Sequence, residues 1–170
     1  AITIQSSGLS QSGCLSSVGD QITHSQYIGT DYVINNGTGT SERVFILATQ
    51  NNTQLTIDDG SVTTAVLSFG QTYTYNSSQP ITYIKSTKPV YVLHVAGAGC
   101  RLSGAQVPPF SCTGTNNTAF TRANSDSLAL MVTTRVGYEG NFTLNGNATL
   151  IPASAFTIVP GSSGIITTAK

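Results

Sequence analysis

The sequence predicts an all-β protein, an antiparallel β-sandwich-like domain. Three observations carry this. Twenty-five threonines stand beside abundant Val, Ile and Tyr, residues that suit a pleated, half-buried surface. Stretches of Ala, Leu, Glu and Lys suited to a helix are missing, and no window keeps a 3.6-residue apolar period over three turns. Turn signals recur at roughly eight to twelve residues, the spacing of a sandwich or barrel.

Taken in order, Arg43 to Thr49 (RVFILAT) is almost continuously apolar and reads as a central strand buried on both faces. Gln54 to Asp58 alternates, with Leu55 and Ile57 on one face, and runs into Asp58-Asp59-Gly60, a strong hairpin turn. Thr63 to Phe69 follows, then Gly70, then Gln71 to Asn76 with Tyr73 and Tyr75 on one face. Ile81 to Ser86 and Val90 to Ala96 read as two further strands separated by Lys88-Pro89. From Gly97 to Asn117 the chain is rich in Gly, Pro, Ser and Cys and loses its periodicity, which predicts a long loop or irregular excursion. Strand patterns resume at Ser127 to Thr134, Asn141 to Leu144, Phe156 to Val159 and Gly164 to Thr168.

The stretches flanking the excursion look like two related β units. VFILATQNNTQLTIDDG from Val44 aligns with LALMVTTRVGYEGNFTLNG from Leu128, and QPITYIKSTK with SSGIITTAK, each ending in Lys. The organisation expected is a single β domain over 1–170. It comprises an N-terminal strand and polar linker (1–26), a first β unit (27–96), a loop closed by a disulfide (97–122) and a second β unit (123–170). In this alignment the second copy stops at Lys170, where the first continues into Val90 to Ala96, so its sheet lacks one core strand. A missing strand leaves an open edge that invites pairing. Ala1 to Gln5, with Ile2 and Ile4 on one face, is the candidate filler, either within the chain or donated to a neighbouring copy, which would build a filament.

Composition bounds the partners. With 170 residues there is material for one ordinary domain, and an apolar fraction of 39% is too large for a disordered tail. Charged residues make up 8%, seven basic against seven acidic, where soluble domains average about 25%. A neutral chain without a Lys/Arg cluster has nothing to displace counterions from a phosphate backbone, so no nucleic-acid partner is expected. No apolar run approaches the roughly 20 residues of a membrane span, and the first residues lack the basic start and apolar core of a signal peptide, so the chain reads as a mature or trimmed segment.

The cysteine count is odd. Cys100 and Cys112 share the excursion at a spacing where a bridge would remove roughly 3 kcal/mol of denatured-state entropy. Their pairing implies an oxidising compartment and a secreted or cell-surface protein. Cys14 is left over, as a buried thiol, an intermolecular link or a reactive group. Cys-x-x-Cys is absent and the remaining candidate ligands, Cys14, His24 and His94, lack zinc spacing, so no metal and no cofactor are expected. For calcium, Asp20 with Asp31, or the Asp58-Asp59 turn, would offer two or three oxygens without an Asp-x-Asp-x-Asp series.

The block GAGCRLSGAQVPPFSCTGTNNTAFTR resembles the IgGFc-binding-type domain, in particular the version in secreted and surface proteins of gliding Bacteroidota bacteria. It is preceded by STKPVYVLHV, GTDYVI and ERVFILATQNNTQLTI, and the likeness runs over about residues 27 to 168. Its most specific positions are Gly99, Cys100, Pro108, Pro109, Cys112, Thr113 and Gly114, with Phe120 and Arg122 behind them. The resemblance implies an extracellular β-rich module of large adhesive or mucin-associated proteins, without a catalytic centre. Arg101 departs from the pattern, which often has an acid after the first Cys, and immunoglobulin binding belongs to a distant animal branch and is not carried over. Arg122 is expected to anchor the excursion through carbonyl hydrogen bonds.

No catalytic constellation is legible. His94 alternates inside VYVLHVA as a satisfied sheet histidine, His24 reads as exposed, and the carboxylates are scattered, so no enzyme is expected. Six Asn-x-Ser/Thr sites begin at Asn36, Asn51, Asn76, Asn116, Asn141 and Asn147, and Asp126-Ser127-Leu128 resembles a Bacteroidota O-glycosylation signal at Ser127. Thr-rich strands and Asn turns also generate such triplets freely. Two functions fit: an adhesive or structural module whose partners are copies of itself or neighbouring domains of a larger surface protein, or an ancillary carbohydrate-binding domain with glycans as ligand. The absence of Trp favours the first.

Overall fold

The computed structural model describes residues 3–11, 14–37, 42–98, 101–112, 114–115, 117–121 and 130–169. The chain divides into two compact units, Ala1–Thr113 and Gly114–Lys170. Both are built from antiparallel strands, as the composition predicts.

The first unit opens with a hairpin of β1 (Thr3–Gln11) and β2 (Cys14–Gln21). It continues through β3 (Gly29–Asn35), β4 (Glu42–Ala48), β5 (Thr53–Asp58), β6 (Val62–Leu67), β7 (Thr72–Ser77), β8 (Ile81–Ala98) and β9 (Arg101–Gln106). The long β8 organises the rest. Along its first half it pairs with β3 on one edge and β5 on the other, and along its second half with β9 and β4. Beyond β5 lies β6 and beyond β4 lies β7, so the sheet curls into a half-barrel.

The expected break at Lys88-Pro89 is not there; Ile81 to Ala98 is one strand. Pro89 lacks an N–H and would cost a ladder bond inside a paired segment. It falls where neighbours change, since β5 pairing ends at Ser86 and β4 pairing starts at Val90. No ladder bond is lost there. The excursion also contains more order than its composition suggests, because β9 extends the sheet along β8.

Two apolar clusters result. The concave one joins Tyr32, Ile34, Val44, Ile46, Leu55, Ile57, Ile84, Val90 and Val92, all fully buried. At roughly 1.5–3 kcal/mol per buried side chain it is the main stabilising element of this unit. The other lies on the opposite face of β4 and β8, where Leu93 and Val95 pack with Phe45, Leu102 and Val18 of β2. The near-continuous apolar run of β4 thus covers both faces, one with the core and one beneath β2. Gly104 permits that approach: a Cβ there would sit 2.5 Å from Val18 Cγ1.

The second unit holds a small sheet of β10 (Val132–Arg135), β11 (Thr157–Ile158) and β12 (Ile166–Ala169), with β12 in the middle. Threonines tie it together: Thr168 Oγ1 donates to the Val132 carbonyl and Thr167 Oγ1 to the Thr157 carbonyl, both at 2.9 Å. Phe142 stacks on Phe156. The strand expected at Asn141 to Leu144 does not form. Asn145 and Gly146 make a turn with both φ positive, but only Leu144 and Asn147 bridge across it. The Asn147 side chain accepts the Thr149 N–H at 2.8 Å and diverts the chain into a 3₁₀ turn, so the counterpart of β5 is replaced by local side-chain capping.

Candidate interaction surfaces

The residues singled out by sequence scatter over several environments. Pro109 is buried against β3, where a Cβ on Gly29 would come within 2.7 Å of Pro109 Cβ. Pro108 and Gly114 are exposed, and Cys112 ends the 3₁₀ turn Phe110–Cys112. Gly99, Cys100, Thr113, Asn116, Arg122, Ser127 and Ile2 lie outside the described residues. Ile4 pairs with Asp20 in the β1–β2 hairpin of its own chain. Among the sequons, Asn76, Asn141 and Asn147 are exposed and Asn36 is half-buried. Asn51 is exposed too, but its Oδ1 takes the Phe69 N–H at 2.9 Å and its triplet Thr53 is buried, donating to the Gln50 carbonyl.

The polar groups that the fold does bring together were not grouped by sequence. Glu42 begins β4 on the concave face and is 1% exposed. Its Oε2 lies 2.8 Å from His94 Nε2 of β8, and its Oε1 accepts the Gly37 N–H at 2.8 Å. Beside it in the ladder, Ser77 opposes Glu42, and the Ser77 hydroxyl bonds the buried Thr82 hydroxyl. This closes one end of the core with a satisfied polar layer. His94 is the satisfied sheet histidine expected, and Glu42 is the partner that sequence reasoning left among scattered carboxylates.

Further along β8, the Tyr83 hydroxyl donates to Asp31 Oδ1, while Asp31 Oδ2 accepts from Thr30. Burial, reinforced by the Asp31 carboxylate, pushes the Tyr83 phenol above its ordinary value. At the β5–β6 turn, Tyr75 donates to Asp59 Oδ2 at 2.6 Å, and again burial followed by that carboxylate raises the phenol. Asp20 is a half-buried acid held below its ordinary value by N–H bonds from Gln106 and Gln21. Tyr32 is fully buried, takes the Gly29 N–H at 2.9 Å and donates to the Val90 carbonyl.

These groups serve one another. Each carboxylate named already meets donors of its own strand or neighbour, and among the described residues no three His, Cys, Asp or Glu converge as a metal site. Exposed apolar side chains occur on β6 and after it, at Val62, Val66 and Phe69, and in the second unit at Val136, Tyr138, Leu150, Ile158 and Ile165. Aromatic residues at the surface, Tyr27, Phe69, Phe120 and Tyr138, are dispersed along the chain. Among the described residues, no helix is long and apolar enough to cross a membrane.

No curated protein and no solved structure matches the chain. The family described as IgGFc binding protein matches residues 4–166, which takes in the β1–β2 hairpin as well as the Cys/Pro block that carried the resemblance. With nearly its whole length covered, the chain belongs to the IgGFc-binding family, a family of binding modules.

Proposed function

We propose that the chain is an adhesive interaction module of a secreted or cell-surface protein, of the kind carried by gliding Bacteroidota, engaging neighbouring domains and copies of itself. The match over residues 4–166 is the observation that carries this reading. The surface chemistry agrees with it. A chain with 8% charged residues holds little long-range field, so its contacts depend on short-range fit of hydroxyl, amide and apolar groups. The same reading includes a bridge between Cys100 and Cys112, Arg122 as an anchor of the excursion, and glycan attachment at Ser127 or the exposed Asn76. Hydrolysis is no part of it.

The test is adsorption of the purified chain to an immobilised mucin-type glycoprotein layer, with immunoglobulin Fc as a separate channel and a glycan array alongside. Saturable binding to the protein layer supports the adhesive reading. A saturable hit on one free glycan would make it a carbohydrate-binding domain instead, and turnover of peptide, ester or polysaccharide substrates would end the non-enzymatic reading.

A further inference from the structure

Strand β6 is the end strand of its sheet, so among the described residues one row of its backbone donors and acceptors has no ladder partner within the sheet. Natural edges are usually blunted with Lys, Pro, a bulge or a covering loop. β6 (VTTAVL) carries no charge, Pro or Gly and pairs with β5 in unbroken register. Its outward side chains include Val62 at 64% exposure and Val66 at 66%, with Phe69 at 71% just beyond. The end strand at the other side of the sheet, β7, turns Thr72, Thr74 and Asn76 outward. The two edges therefore differ in what they offer.

The sequence of β6 is almost a palindrome. In Val62-Thr63-Thr64-Ala65-Val66, a two-fold axis through Thr64 sets Val62 opposite Val66 of a second copy, Thr63 opposite Ala65, and Thr64 opposite itself. Antiparallel pairing keeps facing residues on one side of the sheet, so each exposed Val meets an exposed Val. Charge agrees with that orientation. The Asp58-Asp59 turn precedes β6, whereas Lys88 stands at the far end: its ammonium donates to the Asn51 carbonyl, and the Asn51 side chain holds the Phe69 N–H. Two-fold pairing brings the lysine end of each copy toward the acidic turn of the other, and no like charges meet.

We propose that β6 pairs antiparallel with β6 of a second copy about a two-fold at Thr64, joining two curled sheets into one. This deepens the self-association included in the functional reading above, and rests on it only for biological setting. A six-residue edge buries less than a standard interface, so the dimer is weak, with a dissociation constant of roughly 0.1 mM.

Sedimentation equilibrium of the full chain from about 10 µM to 1 mM tests it. The wild type should show a reversible monomer–dimer equilibrium. Thr64→Lys and Thr64→Glu, at an exposed position, should each keep the circular dichroism of the wild type and weaken the dimer by at least about tenfold, since like charges then face across the axis. An equimolar mixture of the two should recover it as the heterodimer. A wild type that stays monomeric, variants that dimerise unchanged, or a mixture that fails to recover would each overturn the proposal. Binding to the glycoprotein layer is scored separately: a chain that binds there yet never dimerises sinks this proposal alone, and a dimer that does not bind there upholds this proposal and removes adhesion to other surfaces from the functional reading.

Discussion

Breaking the Glu42–His94 pair by His94→Leu tests the claim that the polar end of the core is held by partnership. Glu42 is 1% exposed, and its two partners are the His94 ring and the Gly37 N–H. Leucine fills a similar volume, so packing changes little and the carboxylate loses its strongest donor. Removing one member of a buried pair costs about 3–5 kcal/mol. The His94 side chain retains 18% exposure, so water can enter the vacated position, and about 2–3 kcal/mol is the expected loss. At about 3 °C per kcal/mol for a chain of this size, that lowers Tm by about 6–9 °C.

The decisive measurement is the second half of a cycle. Glu42→Gln keeps an acceptor for Gly37 and removes the charge, so alone it should cost no more than about 1 kcal/mol. In that background His94→Leu no longer strands a carboxylate, and its cost should fall below about 1 kcal/mol, a coupling of about 2 kcal/mol. Urea unfolding followed by tyrosine fluorescence gives all four values. Additive losses, or a single His94→Leu variant within about 0.5 kcal/mol of wild type, would refute the assignment of His94 as the hydrogen-bond partner on which buried Glu42 depends.

Three other outcomes follow from single contacts. Tyr32→Phe leaves the Gly29 N–H and the buried Val90 carbonyl without the phenol, and should cost about 1–3 kcal/mol in urea unfolding with the sheet otherwise intact. Gly104→Ala drives a Cβ to 2.5 Å from Val18 Cγ1, which should lift β2 from the sheet and show as early proteolytic cleavage within residues 3–21 while the concave core stays protected. Asp20 is held below its ordinary value of 3.8, so its bonds to Gln106 and Gln21 contribute stability above that pH and lose it as pH falls through the lowered value. The Tm difference between wild type and Asp20→Asn should therefore be largest near neutrality and close as the pH falls below 3.8 through the lowered value, and a gap that widened in acid would contradict the sign.

How much of this was legible in the sequence differs by strand. Alternation and turn chemistry marked β4 to β7, because the residues that face the core recur at every second position, whether the partner strand is next in the chain, as for β5 and β6, or more distant, as for β4 and β7. The reading missed β3. β3 joins β8 some fifty residues away, and a short segment such as GTDYVIN shows its inward set, Tyr32 and Ile34, only once β8 is in place to cover it. Pro89 misled for a related reason. A proline reads as a break, but its cost depends on whether a partner waits for its N–H, and that is decided by where β5 ends and β4 begins. In the second unit the error ran the other way. Asn145 and Gly146 do turn the chain, but Asn147 captures the following backbone and no strand extends from the turn.

The polar groups follow the same division. His94 could be read as a satisfied histidine from its place in an apolar strand, since a buried imidazole demands a partner whatever that partner is. Its identity could not be read, because Glu42 stands 52 residues away and opens a strand whose next residue is charged as well. The signal that would have found it is parity. Counting by twos from Val44, Ile46 and Ala48 returns to Glu42, and counting by twos from Val90 and Val92 arrives at His94 in one direction and at Lys88 in the other, where the ammonium is taken up by the Asn51 carbonyl; Glu42 and His94 are the ionisable residues that fall at the same end of the two inward sets. Two such residues on the inward sets of adjacent strands must meet or remain unpaired, and an unpaired buried carboxylate is too costly to persist. The pairing is thus a consequence of the register between β4 and β8, in which Val44 faces His94, so that a one-residue slip would turn Glu42 outward and leave the histidine alone in the core.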